Sequence, residues 1–240
     1  MTRRRKWLLG LGIALGLTLA AAVGLWHLAK AWCFVFAGEV TCRVETTEPI
    51  VALTLDDGPT PEGTAAALAA LERGGAHATF FLIGRQIEQH PDEVRRILAA
   101  GHEVANHSWS HKRMIGRSSA WYDEEIARTA ALLRRLGDGG ALLFRPPFGK
   151  KLFALPLAAR RQGHRMVMWD VAEPDTPDPR TYARHIVDSA RPGSIILMHV
   201  MYRPNDVARA ALPLVLEGLR RKGLRVVTVG ELLARGERMR

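Results

Sequence analysis

From residue 50 onward, short apolar runs of strand length alternate with longer runs of helix length, which constrains the fold more than any other feature. Strands are predicted at Ile50–Leu55, Ala78–Ile83, Glu103–Ala105, Leu142–Arg145, Arg165–Trp169, Ser194–Met198 and Leu224–Val229. Helices are predicted at Glu62–Arg73, Asp92–Ala100, Ala120–Leu136, Leu152–Arg161, Thr181–Ala190 and Ala208–Arg221, with Glu231–Ala234 closing the chain. Pro91-Asp92 and Ser118 or Ser119 mark helix starts, and Gly101, Gly137, Gly163 and Gly223 stand where helices stop. Seven β/α units in succession predict an α/β fold with a parallel sheet closing into a barrel, an open doubly wound sheet being the alternative. No Gly-x-Gly-x-x-Gly follows the first strand, so a dinucleotide site has no support.

The N-terminus is of another kind. Arg3-Arg4-Arg5-Lys6 precedes Trp7–Ala29, a stretch of 23 residues without a charge. That length spans a bilayer with some tilt, and the basic cluster favours an N-in orientation. The organisation predicted is therefore a cytoplasmic 1–6, a single transmembrane helix over 7–29, a connector over 30–48 and an exported catalytic domain over 49–240, periplasmic or extracellular. The rival is a cleaved signal peptide, with small residues at Ala20-Ala21-Ala22 and a secreted product. The run continues to Leu25-Trp26, and Trp26 and Trp32 suit an interface, which favours the anchor. Cys33 and Cys42, the only cysteines, are free to pair in an oxidising compartment.

A hydrophobic content of 48% excludes disorder, and the net charge of +10 raises the question of nucleic acid. Four of those charges are the topology signal, and others sit on helix faces such as Arg95-Arg96, Arg134-Arg135 and Arg220-Arg221-Lys222. No aromatic-interleaved basic stripe accompanies them, so no nucleic-acid partner is expected. Attraction to anionic lipid or an acidic envelope polymer remains open.

Polar residues gather at the carboxyl ends of the predicted strands, where barrel enzymes carry their sites. Asp56-Asp57 follow the first strand, His107 and His111 the third, and Arg145-Pro146-Pro147-Phe148-Gly149 the fourth. Asp170 and Asp175 follow the fifth and His199 the sixth. Two adjacent carboxylates at the end of a buried strand are costly unless positive charge lies beside them. With one carboxylate from that other strand, His107 and His111 make a two-histidine, one-carboxylate set, suited to a divalent metal with open positions for water and substrate.

In this order, Thr54-Leu55-Asp56-Asp57-Gly58-Pro59, His107-Ser108-x-x-His111, Arg145 to Gly149 and Leu197-Met198-His199 resemble the motifs of the polysaccharide deacetylases, carbohydrate esterase family 4. The resemblance covers residues 50 to 235. It implies a distorted (β/α)7 barrel that removes acetyl groups from sugars, usually N-acetylglucosamine units, with a metal that is commonly zinc. It implies Asp57, His107 and His111 as metal ligands, Asp56 as general base and His199 as general acid. It further implies that Arg145 orients Asp56, that the backbone N–H near Phe148 helps hold the oxyanion, and that Leu197 walls the acetyl pocket. The expected partners are an N-acetylated glycan and, through the N-terminal helix, a membrane. No protein partner is readable.

One segment departs from the family pattern. Trp169-Asp170-Val171-Ala172-Glu173-Pro174-Asp175-Thr176 keeps the first tryptophan and second aspartate of the usual Trp-x-x-Asp-x-x-Asp-Trp, with Ala172 and Thr176 at the other two places. Asp175 is the expected partner of His199, with Asp170 or Glu173 as substitutes. Trp109, Trp121 and Tyr122 offer either a sugar platform or packing. An O-acetyl esterase, a non-sugar amidase or a non-catalytic glycan-binding module are the alternative functions.

Overall fold

The computed structural model describes residues 3–30, 33–139, 142–151, 153–201 and 203–238. Predicted roles for Trp32, and the start of the predicted helix at Leu152, fall outside them. Helix α1 (Arg3–Lys30) comes first, followed by β1 (Val40–Thr41). The remaining strands are β2 (Ile50–Asp56), β3 (Thr79–Leu82), β4 (Glu103–Asn106), β5 (Leu143–Phe144), β6 (Arg165–Val167), β7 (Ile195–Met198) and β8 (Arg225–Val227). The helices are α2 (Pro61–Gly74), α3 (Gly84–Gln89), α4 (Pro91–Ala99), α5 (Ser119–Arg135), α6 (Ala154–Arg161), α7 (Pro179–Ser189), α8 (Asp206–Arg221) and α9 (Val229–Glu237). Local chemistry explains several ends. Thr60 caps α2 ahead of Pro61, Ser118 caps α5 through the Trp121 N–H, and Asp178 caps α7.

All the strand ladders are parallel, in the order β1-β6-β5-β4-β3-β2-β7, with β8 also on β2. The sheet curls without full closure: among the described residues β6 and β7 form no ladder, and the bridge Val171↔Ile196 spans the gap between them. The α/β architecture is as expected, but among the described residues the sheet has eight strands rather than seven. The additional one is β1, in the segment read as connector, and it pairs Val40 with Met166 and Thr41 with Val167. Cys42 and Val44 beyond it are buried, and Cys33 is bonded to Cys42. The last nine residues read as connector, 40–48, therefore include an edge of the sheet.

Side chains along β2 alternate. Val51, Leu53 and Leu55 face the core under the helices, whereas Ile50 and Ala52 join an interior core with Phe81, Val167, Ile195 and Leu232. By the same period Thr54 and Asp56 enter the interior from the carboxyl end. Helix α1 stands apart. Its described side chains from Leu11 to Gly24 are all exposed, and among the described residues no helix is long and apolar enough to cross a membrane.

Candidate active site

Arg145, wholly buried just beyond β5, receives the inward end of β2. Its Nη1 donates to Thr54 Oγ1 at 2.8 Å and to Asp56 Oδ1 at 2.5 Å. Nε donates to the Val167 carbonyl at 3.1 Å and Nη2 to that of Met168 at 2.9 Å, while the Phe81 ring lies 4.0 Å beneath. Burial pushes the guanidinium pKa down and Asp56 opposes that. Such a pair is tolerable inside a protein because the remaining donors are also satisfied.

His107, also buried, sets its Nδ1 2.8 Å from the Arg145 carbonyl. Donation there leaves the Nε2 lone pair facing the carboxylates, 3.8 Å from Asp56 Oδ2 and 3.7 Å from Asp57 Oδ1. Burial lowers the His107 pKa against the pull of Asp56 and Asp57, favouring the neutral ring that a metal needs. His111 Nε2 stands 3.1 Å from the same Asp57 oxygen. One ligand atom from each of Asp57, His107 and His111 lies within 4.8 Å of the other two. Burial alone would raise the Asp57 carboxyl, but His111, then the charges of His107 and His199, hold it low. Among the described residues, buried Asp57 Oδ1 has the His107 and His111 ring nitrogens beside it but no well-aligned hydrogen bond, a costly position for an oxygen unless a cation takes it. The donor set therefore fits a divalent transition metal.

Backbone conformation marks the same place. Among the described residues, the non-glycine positions with left-handed backbone are Asp57 (φ 69°), Ser108 (65°), His111 (55°) and Phe148 (57°). Each costs on the order of 1 kcal/mol or more, so surrounding bonds must hold it. Asn106 Oδ1 accepts the Ser108 N–H at 2.9 Å, Ser108 Oγ accepts the His111 N–H at 3.1 Å, and Glu125 accepts the Ser110 N–H at 2.8 Å. The half-exposed Phe148 ring lies 4.9 Å from that of His111.

His199, just beyond β7, is met by Glu173 rather than Asp175. Glu173 Oε1 lies 2.6 Å from His199 Nδ1, and Oε2 accepts the His199 backbone N–H at 3.0 Å and the Tyr182 hydroxyl. The reason is local. The chain after β6 rejoins β7 at Val171, two residues before Glu173, whereas Asp175 lies beyond Pro174 and is exposed. Asp170 accepts Ser194 Oγ at 3.0 Å and the Ile195 N–H at 2.8 Å, securing the start of β7 instead. Burial would lower the His199 pKa, but the Glu173 hydrogen bond and the charges of Asp56, Glu173 and Asp57 carry it up to about 9. Leu197 is buried on β7 opposite Thr54. Trp109 and Tyr122 are buried too, with Arg128 stacked 3.4 Å over the Trp109 ring, so they are packing and not a sugar platform.

The family model for polysaccharide deacetylase matches residues 43–167, which carry Asp56, Asp57, His107, His111, Arg145 and Phe148. The chain belongs to the polysaccharide deacetylase family. This deacetylase is 34% identical over 200 residues to a peptidoglycan-N-acetylglucosamine deacetylase of Bacillus cereus, covering 82% of this chain and 93% of the relative. It is 31% identical over 195 residues to the Bacillus subtilis peptidoglycan-N-acetylmuramic acid deacetylase PdaC, covering 79% of this chain and 40% of that longer protein. Among solved structures, it resembles the Bc1960 peptidoglycan N-acetylglucosamine deacetylase with a TM-score of 0.76 and 31% identity, over 80% of this chain and 92% of that one. Glu173 and His199 lie past the matched family segment, so their pairing rests on this chain's own geometry.

Proposed function

We propose that the protein removes N-acetyl groups from N-acetylglucosamine-type units of an envelope polysaccharide. The observation that carries the reading is Asp56 held by Arg145 through one oxygen, with its other oxygen beside the Asp57–His107–His111 set. Asp57, His107 and His111 would hold a divalent metal, zinc being the proposed ion. When bound, it supplies Lewis acidity toward the acetyl carbonyl and makes water a better acid. Asp56 takes the proton from the attacking water, its orientation fixed by Arg145. As a C–O bond forms to the acetyl carbon and the C–N bond breaks, His199 returns a proton to the departing amine. An amine is a poor leaving group without that proton, and Glu173 keeps the imidazole charged for the task. The backbone N–H near Phe148, whose ring adjoins that of His111, is the proposed donor to the developing oxyanion.

The names of the relatives support peptidoglycan as the polymer. The proposed placement is N-in, with the catalytic part outside the membrane. The continuous described side chains of α1, from Leu11 to Gly24, cover about 21 Å at 1.5 Å per residue, short of a ~30 Å hydrocarbon core. The uncharged sequence Trp7–Ala29 covers about 35 Å, enough to span. The test is acetate release from N-acetylglucosamine oligomers and purified peptidoglycan by metal-stripped and zinc-reloaded protein, beside an O-acetylated sugar. Zinc-dependent release from the amides supports the proposal. Tight zinc binding with turnover only of the ester would replace it with an esterase, and no turnover at all with a binding protein.

A further inference from the structure

The route from α1 to the sheet is short, and it passes an apolar patch. The Phe36 and Phe153 rings stack at 4.3 Å with 12° between their planes, and Phe34 meets Phe36 edge-on at 4.8 Å. Phe153 precedes α6 and Leu157 lies one turn along it; Phe36, Phe153 and Leu157 are 41%, 50% and 40% exposed. Gly38, at φ 83°, lies so close to Pro156 that a side chain would press into it, which seats this stretch on α6. Large apolar side chains exposed together normally mark a surface that something covers.

The covalent path identifies the cover. Helix α1 ends at Lys30, and Cys33 is bonded to Cys42, a buried residue next to β1. Three Cα-to-Cα steps therefore separate the helix from a point fixed to the sheet, a reach of at most about 11 Å. Without the disulfide the first residue held to the body is Phe36, stacked on Phe153, and the reach grows to about 22 Å. A domain held within 11 Å of a bilayer must turn toward it the surface where the tether attaches. That surface carries Phe34, Phe36, Phe153 and Leu157, with exposed Arg160 one turn on. Aromatic rings suit the membrane interface and arginine suits anionic headgroups.

We propose that the Phe36–Phe153–Leu157 patch rests on the lipid bilayer, held there by the Cys33–Cys42 disulfide acting as a short strap. The proposal rests on the reading of α1 as a membrane anchor and deepens the proposed function. Phe153 is five residues from Phe148, whose ring adjoins His111, so at most about 18 Å of chain separates the patch from the site. The enzyme then works on N-acetylated glycan close to the membrane rather than on distant layers.

The experiment uses the full chain in vesicles of phosphatidylethanolamine and phosphatidylglycerol, with benzoyl-phenylalanine placed singly at Leu15, Phe153, Leu157 or Arg95. Photolysis is expected to give lipid adducts at Leu15, Phe153 and Leu157 and none at Arg95 on α4. Replacing both cysteines (Cys33→Ser with Cys42→Ser) lengthens the tether about twofold and should lower the Leu157 adduct at least about twofold, leaving Leu15 unchanged. Retained hydrolysis of soluble oligomers identifies that variant as folded. Adducts at Leu15 without any at Phe153 or Leu157 overturn the docking while leaving the anchor standing. So does cross-linking of Leu157 only to a second copy of the chain. Absence of adducts at Leu15 as well removes the anchor, and the docking with it.

Discussion

Glu173 grips His199 at two points, its Oε1 2.6 Å from the ring Nδ1 and its Oε2 accepting the backbone N–H at 3.0 Å. The imidazole pKa is carried up to about 9, so the acid form needed for amine departure persists through neutral pH and is lost as pH rises through that value. Glu173→Gln removes a negative charge, and burial then pulls the imidazole down with only Asp56 and Asp57 opposing. The alkaline limb of kcat should move to lower pH, with turnover at pH 8 falling on the order of tenfold. Asp175→Asn should leave the profile in place. A shift with Asp175→Asn and none with Glu173→Gln would reverse the assignment.

Tyr182 supports the same carboxylate from α7, where its ring is buried and its hydroxyl donates to Glu173 Oε2. Tyr182→Phe keeps the packing and deletes one hydrogen bond, which normally costs about 1 kcal/mol. We expect kcat to fall severalfold with KM unchanged, and the alkaline limb to shift in the same direction as with Glu173→Gln but less far. A change confined to thermal stability would mean that Tyr182 only packs.

Asp56 and Arg145 separate catalysis from folding. Asp56→Asn leaves Arg145 its bonds to Thr54, Val167 and Met168, so the protein should fold and bind zinc while kcat drops by roughly 10²–10⁴. Arg145→Met strands a buried carboxylate and should cost about 3–5 kcal/mol in denaturant unfolding. Wild-type turnover in Asp56→Asn would sink the base assignment.

Ser108 tests how the metal ligands are aimed. Its hydroxyl accepts the His111 N–H at 3.1 Å while its own backbone is left-handed at φ 65°. Ser108→Ala loses the bond and keeps the strain, and zinc affinity should weaken about 10–100-fold. Ser108→Gly loses the same bond but relieves the backbone by on the order of 1 kcal/mol. The two variants should therefore match in zinc titration and differ in unfolding midpoint.

Much of this was legible in the sequence because alternation, carboxyl-end placement and motif order are all local signals. Asp56, Asp57, His107, His111 and Arg145 converge because consecutive parallel strands deliver their ends to one side. What the sequence hid depends on three-dimensional return paths. Glu173 faces His199 only because Val171 rejoins β7, which no periodicity announces. Likewise β1 is a pair of residues whose strand character comes entirely from lying beside Met166 and Val167. The burial of Trp109 reflects the close approach of Arg128 from α5, another contact distant in sequence.

The N-terminal edge of the catalytic part follows from that hidden strand. A fragment starting at Thr46 lacks the β1–β6 ladder, the buried side chains of Cys42 and Val44, and the bond from the Val44 N–H to the Gly193 carbonyl at 2.9 Å. Burying one valine-sized side chain is worth about 1.5–3 kcal/mol, and the loss also uncovers β6 as a new edge. We expect such a fragment to unfold at least about 3 kcal/mol more easily than one starting at Cys33, and to aggregate sooner. Gly193→Ala probes the same junction inside the intact chain: at φ 82° its new Cβ would stand 1.8 Å from the Val44 carbonyl oxygen. It should destabilise the protein comparably, since neither backbone segment can retreat without breaking its pairing. Equal denaturation midpoints for the two fragments would show that β1 contributes nothing and that the fold begins at β2.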